Sequence, residues 1–314
     1  MLEAWKEFRS GKNKKSDVQI FERHLMSNII SLHRDLKDRS YVHSSYEHFV
    51  ICDPKRRDIH KATARDRLLH HALYRTLYPF FDRTFIADSY SCRNNKGTHK
   101  AMNRFRSFAG KVSKNHTRTA WVLKCDIRKF FASIDQKILL GILQEKIEGK
   151  DIVSLLSKIL ISFDSGVVGV GLPLGNLTSQ LLVNIYMNEF DQYMKHKLKA
   201  KYYIRYADDF VVLSESKRYL EDVLKMQAQF LEEKLRLHLH PNKVSITTFV
   251  SGVDFLGWVH FPKHRVLRTV TKRKMFRKVN EKNMTSYLGL LGHGNERKSE
   301  IALLEYIRKI SYDK

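Results

Sequence analysis

The sequence predicts an α+β fold in which an antiparallel sheet carries acidic residues at one of its ends. An apolar, β-prone run over residues 121–126 ends in Asp126. A second pair of such runs, over residues 201–214, flanks the adjacent residues Asp208 and Asp209, which is typical of a hairpin with the acids at its tip. Because like charges that lie close together repel, we expect this cluster to meet cations. Carboxylates from two strands at one sheet end would form a site for Mg²⁺, which prefers hard oxygen ligands.

The composition indicates a basic protein with a polyanionic partner. The chain has 314 residues, with 57 Lys plus Arg against 33 Asp plus Glu and a formal net charge of +24. Nucleic acid is the simplest such partner; a membrane surface is the alternative, but no basic amphipathic helix stands out to favour it. No apolar run approaches the length of a transmembrane helix, and the start lacks the apolar region of a signal peptide. The three cysteines are far apart, which is typical of a reducing cytoplasm, where we expect the protein to reside.

The remaining elements follow in chain order from the spacing of apolar residues. Residues 1–20 are polar and basic, and they predict a flexible lead or an arm that contacts RNA. Apolar residues at helical spacing, such as Phe21, Leu25 and Ile29, predict the first long helix. Helices are predicted over residues 21–38, 61–82, 136–148, 151–162, 178–197 and 217–234, with a loop and a basic helix over 86–118. Further strands are predicted over residues 46–51, 243–249 and 253–260, and the basic segment 263–314 is predicted to be helical.

The acidic motifs and those around them, taken in order, resemble a reverse transcriptase from about residue 23 to about residue 280. The segment Asp126–Asp135 resembles the first catalytic motif of that family, and Tyr206–Asp209 resembles the second. The resemblance implies that the catalytic and metal-binding set consists of Asp126, the carbonyl of Ile127, Asp208 and the supporting acid Asp209. It also implies two Mg²⁺ ions, for which Mn²⁺ is able to substitute, at the attacking and leaving oxygens of a phosphoryl transfer.

Several residues resemble the nucleotide-binding positions of the family. Lys55, Arg56 and Arg57 resemble the basic fingers segment that grips the incoming triphosphate, since guanidinium matches phosphate geometry. Arg57 is the first choice because the following segment Asp66–Leu69 fixes the register of the next motif; the alternative is a solvated turn. Phe131 matches the steric gate that rejects a ribose 2′-hydroxyl, or it is a core residue of a Phe-Phe pair. Lys243 matches a motif whose lysine steadies the triphosphate or protonates the leaving pyrophosphate, or it is an ordinary surface residue.

The stretch from Leu174 to Gln180 resembles one subclass, the reverse transcriptases of diversity-generating retroelements. Most reverse transcriptases have Gln-Gly and then Ser-Pro here, whereas this chain has Leu174-Gly175 and then Ser-Gln180. The segment containing Arg93 and Lys96 also resembles that group, which implies that these two residues contact primer or template. An aliphatic side chain in place of the glutamine removes hydrogen bonds to the nascent pair, at a cost to discrimination of about 1–3 kcal/mol. The alternative is that Leu174 is neutral in an accurate enzyme.

The same resemblance assigns the primer contact and the domains. Phe255, Leu256 and Gly257 resemble the hairpin that positions the primer end; the alternative is an ordinary sheet edge. The resemblance implies a right-hand polymerase with helical fingers, an antiparallel-sheet palm and a short helical thumb. The predicted domains are an N-terminal extension and fingers over residues 1–118, a palm over 119–262 with a fingers-type insertion at about 140–175, and a thumb over 263–314.

The resemblance therefore predicts an error-prone RNA-directed DNA polymerase that copies an element-encoded template RNA into cDNA, with errors concentrated opposite template adenines. Its partners would be template RNA, cDNA, deoxynucleoside triphosphates and a small basic oligomeric accessory protein, with no membrane. The length left after the thumb is too short for a maturase, endonuclease or RNase H domain, which makes a self-contained mobile intron protein a weaker interpretation. The alternatives are an accurate group II-like or retron-like reverse transcriptase and, from another class, an RNA-binding scaffold whose polymerase site is idle.

Overall fold

The computed structural model describes residues 1–52 and 56–312. Its central strands and the helices around them follow the predicted order, with the differences given below. The strands are β1 (Glu47–Ile51), β2 (Arg57–Lys61), β3 (Trp121–Asp126), β4 (Tyr203–Tyr206), β5 (Asp209–Ser214), β6 (Ser245–Thr248), β7 (Val253–Phe255), β8 (Trp258–His260) and β9 (Arg265–Leu267). The helices are α1 (Leu2–Arg9), α2 (Ser16–Arg23), α3 (Leu25–Lys37), α4 (Ala64–Asp82), α5 (Thr98–Val112), α6 (Phe130–Ser133), α7 (Gln136–Lys146), α8 (Lys150–Ile161), α9 (Leu177–Gln192), α10 (Lys217–Leu235), α11 (Thr269–Lys278), α12 (Met284–Leu291) and α13 (Arg297–Tyr312).

A four-stranded antiparallel sheet in the order β4-β5-β3-β6 forms the centre of the fold. Successive side chains of a strand point to opposite faces, so each strand contributes to two cores. Leu123 and Phe210 belong to the larger core, which contains the apolar residues of α9 and α10, whereas Val122 and Val211 belong to a second core with the aromatic residues of α5. Burial on both faces explains why these strands read as continuous apolar runs in the sequence.

The N-terminal residues are folded, and the predicted flexible lead over residues 1–20 is wrong. Helices α1 and α2 pack against α4, and they bury Trp5, Phe8 and Val18. Ion pairs from Arg75 to Glu7 and from Arg67 to Asp17 join the same elements. The many lysines of this segment obscured the helical spacing of Trp5 and Phe8, which was the available signal for an amphipathic helix.

Three other elements differ from their predictions. The predicted helix 21–38 is two helices, because the backbone leaves the helical conformation at His24, between α2 and α3. The predicted helix 178–197 is α9 followed by one π-helical turn over Tyr193–Lys197. The predicted strand 253–260 is the β7–β8 hairpin, whose two turn residues Leu256 and Gly257 have φ of 53° and 90°.

The C-terminal helices are attached to a three-stranded sheet in the order β7-β8-β9. Buried Glu296 makes the attachment: its carboxylate accepts from the backbone N–H of Leu267 at 2.6 Å, from Ser299 Oγ at 2.6 Å, and pairs with Lys272 at 2.8 Å. The predicted boundary between residues 262 and 263 falls inside the β8–β9 hairpin, and the helical segment begins at Thr269. Within the described residues, no helix is both long enough and apolar enough to span a bilayer.

Candidate active site

The three predicted catalytic acids meet at one end of the central sheet. Asp126 is the last residue of β3 and lies opposite Asp209, the first residue of β5, in the antiparallel register. Tyr206 pairs with Asp209 across β4 and β5, so Ala207 and Asp208 form the two-residue turn between these strands. Two strand ends and one tight turn therefore place Asp126, Asp208 and Asp209 at the same end of the sheet. This is the arrangement predicted from the apolar runs that end in, or flank, these acids.

The short segment 238–240 pairs with the end of β3 on the side away from β5. The backbone N–H of His240 donates to the carbonyl of Asp126 at 2.8 Å, and that of Arg128 donates to His238 at 2.9 Å. Ile127, between these contacts, turns its N–H the other way and donates to the carbonyl of Asp208 at 3.2 Å. Because the N–H and C=O of one strand residue point to the same side, the Ile127 carbonyl faces the acidic turn.

Lys243 follows this segment and reaches the catalytic cluster. Its Nζ donates to Oδ1 of Asp126 at 2.8 Å, and its side chain remains 40% exposed. Its backbone N–H is anchored on the carbonyl of His240 at 3.1 Å. The pairing of residues 238–240 with β3 therefore brings the Lys243 ammonium to Asp126, although the two residues are 117 positions apart along the chain.

Asp209 has strongly perturbed electrostatics. The pKa of its carboxyl is raised to about 7, mainly by burial and also by the carboxylates of Asp126 and Asp208, while Lys124 and Arg268 oppose the shift. Its Oδ1 is buried and has no hydrogen-bond partner among the described residues. Lys124 was missed by the sequence reasoning, although the two-residue period of β3 places it on the same face as Asp126.

These residues fit a divalent metal. A buried carboxylate oxygen without a partner is costly, and a cation at the cluster would satisfy it. Carboxylates and a backbone carbonyl are the hard oxygen donors that Mg²⁺ accepts. Across the described part of the chain, no three His, Cys, Asp or Glu side chains already stand in metal-binding geometry. A metal at Asp126 would have to displace or share the ammonium of Lys243.

Phe131 lies on the short helix α6, which follows the end of β3. Lys129, in the left-handed conformation with φ of 46°, turns the chain from β3 into this helix. Phe130 is buried in the core, whereas Phe131 is only partly buried and meets Phe130 edge-on at 5.6 Å. The carbonyl of Phe131 accepts from the N–H of Leu172 at 2.8 Å. Of the Phe-Phe pair, the ring that stays partly accessible is Phe131, and its role as a steric gate remains a prediction.

The segment around Leu174 is attached to the β1–β2 hairpin. The carbonyl of Leu174 accepts from the N–H of His60 at 2.9 Å, and a Cβ on Gly175, whose φ is 110°, would lie 2.8 Å from Ile59 Cγ2. Buried Asn176, which the sequence reasoning missed, donates to the carbonyl of His60 at 2.7 Å and accepts from the N–H of Ala62 at 3.3 Å. The glycine is therefore required by both its conformation and the close approach of β2.

The hairpin carries the predicted triphosphate contact and borders a basic cavity. Arg57, the first residue of β2, is exposed, and Lys55 lies outside the described residues. A cavity of about 690 Å³ lies between the N-terminal helices, this hairpin and the start of α9. Its polar lining consists of Lys12, Lys15, Lys61, Arg67, His70, His71, Asn176 and Gln180, together with the acids Asp17 and Glu47, which pair with Lys61 and Arg67. Gln180 and Gly175 thus face the same space as several cations.

The segment 90–108 is less available to nucleic acid than predicted. The side chain of Arg93 is 6% exposed, and its guanidinium donates to Asp82 Oδ1 at 2.7 Å and to the carbonyl of Ile86 at 2.7 Å. This placement makes Arg93 a structural residue and does not favour the predicted primer or template contact. Lys96 is partly exposed and donates to the carbonyl of Ala87 at 2.7 Å. The aromatic residues Tyr90, Phe105 and Phe108 of the same segment are also buried.

The predicted primer hairpin divides into an anchor and a tip. Phe255 is fully buried and packs against Phe105 with ring centroids 5.4 Å apart. Leu256 and Gly257 form the turn and are partly exposed, and the carbonyl of Gly257 accepts from the N–H of Arg268 at 3.3 Å. Of the three predicted residues, only the two at the tip are placed to touch a nucleic acid.

Comparisons with known proteins agree with this arrangement. Protein YkfC of Escherichia coli (strain K12) is 25% identical over 244 residues, which cover 65% of this chain and 61% of that protein. Group II intron-encoded protein LtrA of Lactococcus lactis subsp. cremoris is 23% identical over 355 aligned positions, covering 90% of this chain and 55% of that protein. The chain therefore spans only part of the length of these curated relatives.

Solved structures show the same fold. Telomerase from Candida albicans in complex with a fragment of telomeric RNA superposes with a TM-score of 0.57 at 10% identity, covering 92% of this chain and 60% of that one. Apo telomerase from Candida tropicalis gives a TM-score of 0.55 at 11% identity, covering 87% and 58%. The family model described as reverse transcriptase (RNA-dependent DNA polymerase) matches residues 53–260, which is more than half of the chain. The chain belongs to the reverse transcriptase family.

Proposed function

We propose that this chain is an RNA-directed DNA polymerase that extends a primer by two-metal nucleotidyl transfer. The observation that carries the proposal is the register of β3 and β5, which sets Asp126 against Asp209 with Asp208 in the adjoining turn. In the reaction, a bond forms between the primer 3′-oxygen and the α-phosphorus, and the bond to pyrophosphate breaks. The whole chain would provide fingers over residues 1–118, a palm over 119–262 and a thumb over 263–314.

Asp126, Asp208 and the carbonyl of Ile127 would hold two Mg²⁺ ions, with Asp209 as the supporting acid and Mn²⁺ as a substitute. Bound ions would activate the primer 3′-hydroxyl and neutralise charge on the leaving pyrophosphate. Two observations support this assignment. Oδ1 of Asp209 has no hydrogen-bond partner among the described residues, and the carbonyl of Ile127 faces the acidic turn. The chain's own contribution is a rigid strand end that holds the carboxylates before substrate arrives.

The neighbouring residues would bind the incoming nucleotide. Arg57 and Lys55 would grip the triphosphate, and Lys243, close to Asp126, would steady it or protonate the leaving group. Phe131 would lie beneath the sugar and exclude a 2′-hydroxyl, so the substrate would be a deoxynucleoside triphosphate. Leu174, Gly175 and Gln180 would border the nascent base pair.

The net charge of +24 suits a template RNA and the growing cDNA, whose phosphates would be the counter-charges. Leu256 and Gly257 at the hairpin tip would contact the primer end, with Phe255 as their buried anchor, and Lys96 would meet the template. The relatives support RNA as the template class, since LtrA is a group II intron-encoded protein and the Candida albicans telomerase structure contains telomeric RNA.

We further propose that the enzyme is error-prone and belongs to a diversity-generating retroelement. The support is the Leu174-Gly175 sequence, because the Leu174 side chain is partly buried and offers no hydrogen bond at a position beside β2. The template would be an element-encoded RNA and the errors would fall opposite its adenines. A small basic oligomeric accessory protein would complete the system. Since two cationic proteins repel, RNA or local acidic patches would have to bridge them.

A second candidate is an accurate group II-like reverse transcriptase, and the similarity to LtrA over 90% of this chain favours it. It shares the catalytic chemistry and differs only in fidelity. An idle RNA-binding scaffold is disfavoured by the intact trio of Asp126, Asp208 and Asp209.

The test is primer extension on a defined heteropolymeric RNA, with Mg²⁺ and deoxynucleoside triphosphates, beside the variant Asp208→Asn. We expect incorporation by the wild type and its loss, by at least about 10³-fold, in the variant, because one metal ligand is removed. Incorporation by Asp208→Asn at the wild-type rate would contradict the proposed site. Absence of activity in the wild type with its cognate RNA and partner supplied would favour the scaffold.

Sequencing the cDNA tests the finer proposal, with Leu174→Gln as the informative variant. We expect frequent errors opposite template adenines in the wild type and about 10-fold fewer in Leu174→Gln, as one restored hydrogen-bonded contact allows. Leu172→Met, a conservative change at a buried residue two positions away, is the matched control and should leave the error spectrum unchanged. Accurate wild-type cDNA would favour the group II-like candidate.

A further inference from the structure

Arg205, in β4, is a fully buried arginine whose every N–H donor has a protein acceptor. Its Nε donates to Oδ1 of Asp191 at 2.8 Å, and one terminal nitrogen donates to Oδ2 of Asp191 at 2.7 Å and to Ser89 Oγ at 3.1 Å. The other terminal nitrogen donates to Oδ1 of Asn184 at 3.2 Å and to the carbonyl of Ala207 at 3.1 Å. These contacts use all five donors of the guanidinium. The side chains of Arg205 and Asp191 are both 0% exposed.

The last of these contacts reaches the catalytic turn. Ala207 is the residue between Tyr206 and Asp208, and its φ of 55° is in the left-handed region, which is unfavourable for a residue with a Cβ. The guanidinium holds the carbonyl of this strained residue from inside the protein. The direction of that carbonyl fixes the peptide that leads into Asp208, and therefore the start of the Asp208–Asp209 pair.

The same guanidinium ties the turn to two other elements. Asp191 and Asn184 both lie on α9, the helix that begins just after Leu174 and Gly175. The backbone of Arg205 also pairs with the segment before α5, since its N–H donates to Asp88 and its carbonyl accepts from Tyr90, both at 3.0 Å. The catalytic turn is thereby fixed relative to the helix that follows the nucleotide-binding segment.

We propose that Arg205 is a positioning residue that, locked by Asp191, holds the Ala207 carbonyl and so aims Asp208 and Asp209 at the metal ions. The inference deepens the proposed function and rests on it in one respect, the assignment of metal binding to this turn. A lysine cannot replace it, because only the planar fork of arginine can bind Asp191 bidentately and still donate to Ala207.

The competing interpretation is that the buried ion pair serves only stability. Removing one partner of such a pair is destabilising whatever its role, so loss of stability alone would not distinguish the two. Tyr203 provides the matched control. Its hydroxyl donates to Oδ1 of the same Asp191 at 2.7 Å and it is equally buried, but its side chain has no contact with Ala207 among the hydrogen bonds described. A readout at the metal site is therefore needed.

The experiment measures Mn²⁺ binding by electron paramagnetic resonance of the free ion, without nucleotide, in full-length wild type, Arg205→Lys and Tyr203→Phe. The neutral double variant Arg205→Gln/Asp191→Asn is included because it leaves no uncompensated buried charge. Circular dichroism establishes which variants are folded. We expect Mn²⁺ affinity at least about 10-fold weaker in folded Arg205 variants, the effect of one charge-assisted hydrogen bond, and wild-type affinity in Tyr203→Phe.

Wild-type Mn²⁺ affinity in a folded Arg205 variant would overturn the proposal, as would an equal loss in Tyr203→Phe. Primer extension on the same samples separates this inference from the proposed function. Metal affinity that depends on Arg205 in a protein without polymerase activity would preserve the positioning role and contradict the polymerase. Polymerase activity together with a metal affinity that does not depend on Arg205 would contradict the positioning role and preserve the polymerase.

Discussion

Nζ of Lys243 lies 2.8 Å from Oδ1 of Asp126, so this acid is paired with a positive charge from a residue far along the chain. The contact exists because residues 238–240 pair with the end of β3 and deliver the following turn to the acidic cluster. The ammonium neutralises a carboxylate that would otherwise face two others across the sheet end. It also lies on the carboxylate that a divalent ion would need.

Lys243→Ala is therefore expected to strengthen metal binding while it weakens catalysis. Without nucleotide, Mn²⁺ affinity should rise by up to about fivefold, the value of a partly exposed ion pair that no longer competes. Nucleotide incorporation should fall, because the charge near the triphosphate is lost. Both quantities are measured on the same preparation. Lys243→Arg keeps the charge and should not strengthen metal binding; a gain in that variant would argue against competition.

Phe131→Val is expected to relax sugar selection. The ring is only partly buried, so shortening it would leave room for a 2′-hydroxyl at little cost in stability. We expect discrimination between deoxynucleotides and ribonucleotides to fall by about 10–100-fold, measured as the ratio of kcat/KM values on one template. Phe130→Leu is the matched control, since its neighbouring ring is buried; it should lower stability and leave that ratio unchanged. Ribonucleotide use that rises equally in both variants would contradict the gate.

The local features of the site could be predicted from the sequence, because they depend on neighbours along the chain. The strand ending in Asp126 and the hairpin around Asp208 are confirmed, as both are predicted by short apolar runs next to the acidic residues. The cap of α7 is equally local, since the side chain of Asp135 accepts from the N–H of Ile138 at 2.9 Å. These interactions span only a few residues, so the pattern alone determines them.

The long-range features could not be predicted, for a physical reason. An arginine in a strand gives no sign of burial until its acceptors are known, and Ser89 is 116 residues from Arg205. Arg93 looked like a nucleic-acid contact because a cation in a basic loop has the same sequence whether it faces solvent or Asp82. The charge and hydrophobicity of a side chain limit the contacts that it can make, and only its tertiary partners decide which of these contacts forms.

Buried His260 should make the fold sensitive to acid. The pKa of its imidazole is lowered from 6.5 to about 4, mainly by burial and also by Arg265 and Arg106, while its contact with the Phe255 carbonyl and the charge of Asp254 oppose the shift. The unfolded chain therefore binds a proton below pH 6.5 that the folded chain refuses until about pH 4. Its contribution is fully present above pH 6.5 and is lost as the pH falls toward 4, by on the order of 3 kcal/mol.

Urea unfolding at a series of pH values between 7 and 4 would measure this loss against His260→Gln, which keeps an N–H donor. We expect the free energy of unfolding to fall less steeply with acid in the variant than in the wild type. His264→Gln, on the same hairpin but exposed, controls for removal of a histidine as such. Identical slopes for the wild type and His260→Gln would show that the imidazole titrates alike in both states.

Two glycines of the C-terminal region, Gly294 between α12 and α13 and Gly289 within α12, should respond oppositely to the same substitution. A Cβ on Gly294 would lie 2.0 Å from Cζ3 of Trp258 and 3.0 Å from the carbonyl of Arg265, so Gly294→Ala must push the chain away from β8 and β9. We expect this overpacking to lower the free energy of unfolding by about 1–3 kcal/mol. Gly289, exposed inside α12, has no heavy atom within 4 Å of the added Cβ, and Gly289→Ala should raise that free energy by about 0.5–1 kcal/mol. Urea unfolding of both variants measures the two effects, and shifts of the same sign would contradict the packing of Gly294 against Trp258.

Because the turn at Leu256 and Gly257 leads directly into β8, Gly294→Ala should in addition shorten the products made per primer-binding event, which Gly289→Ala should not.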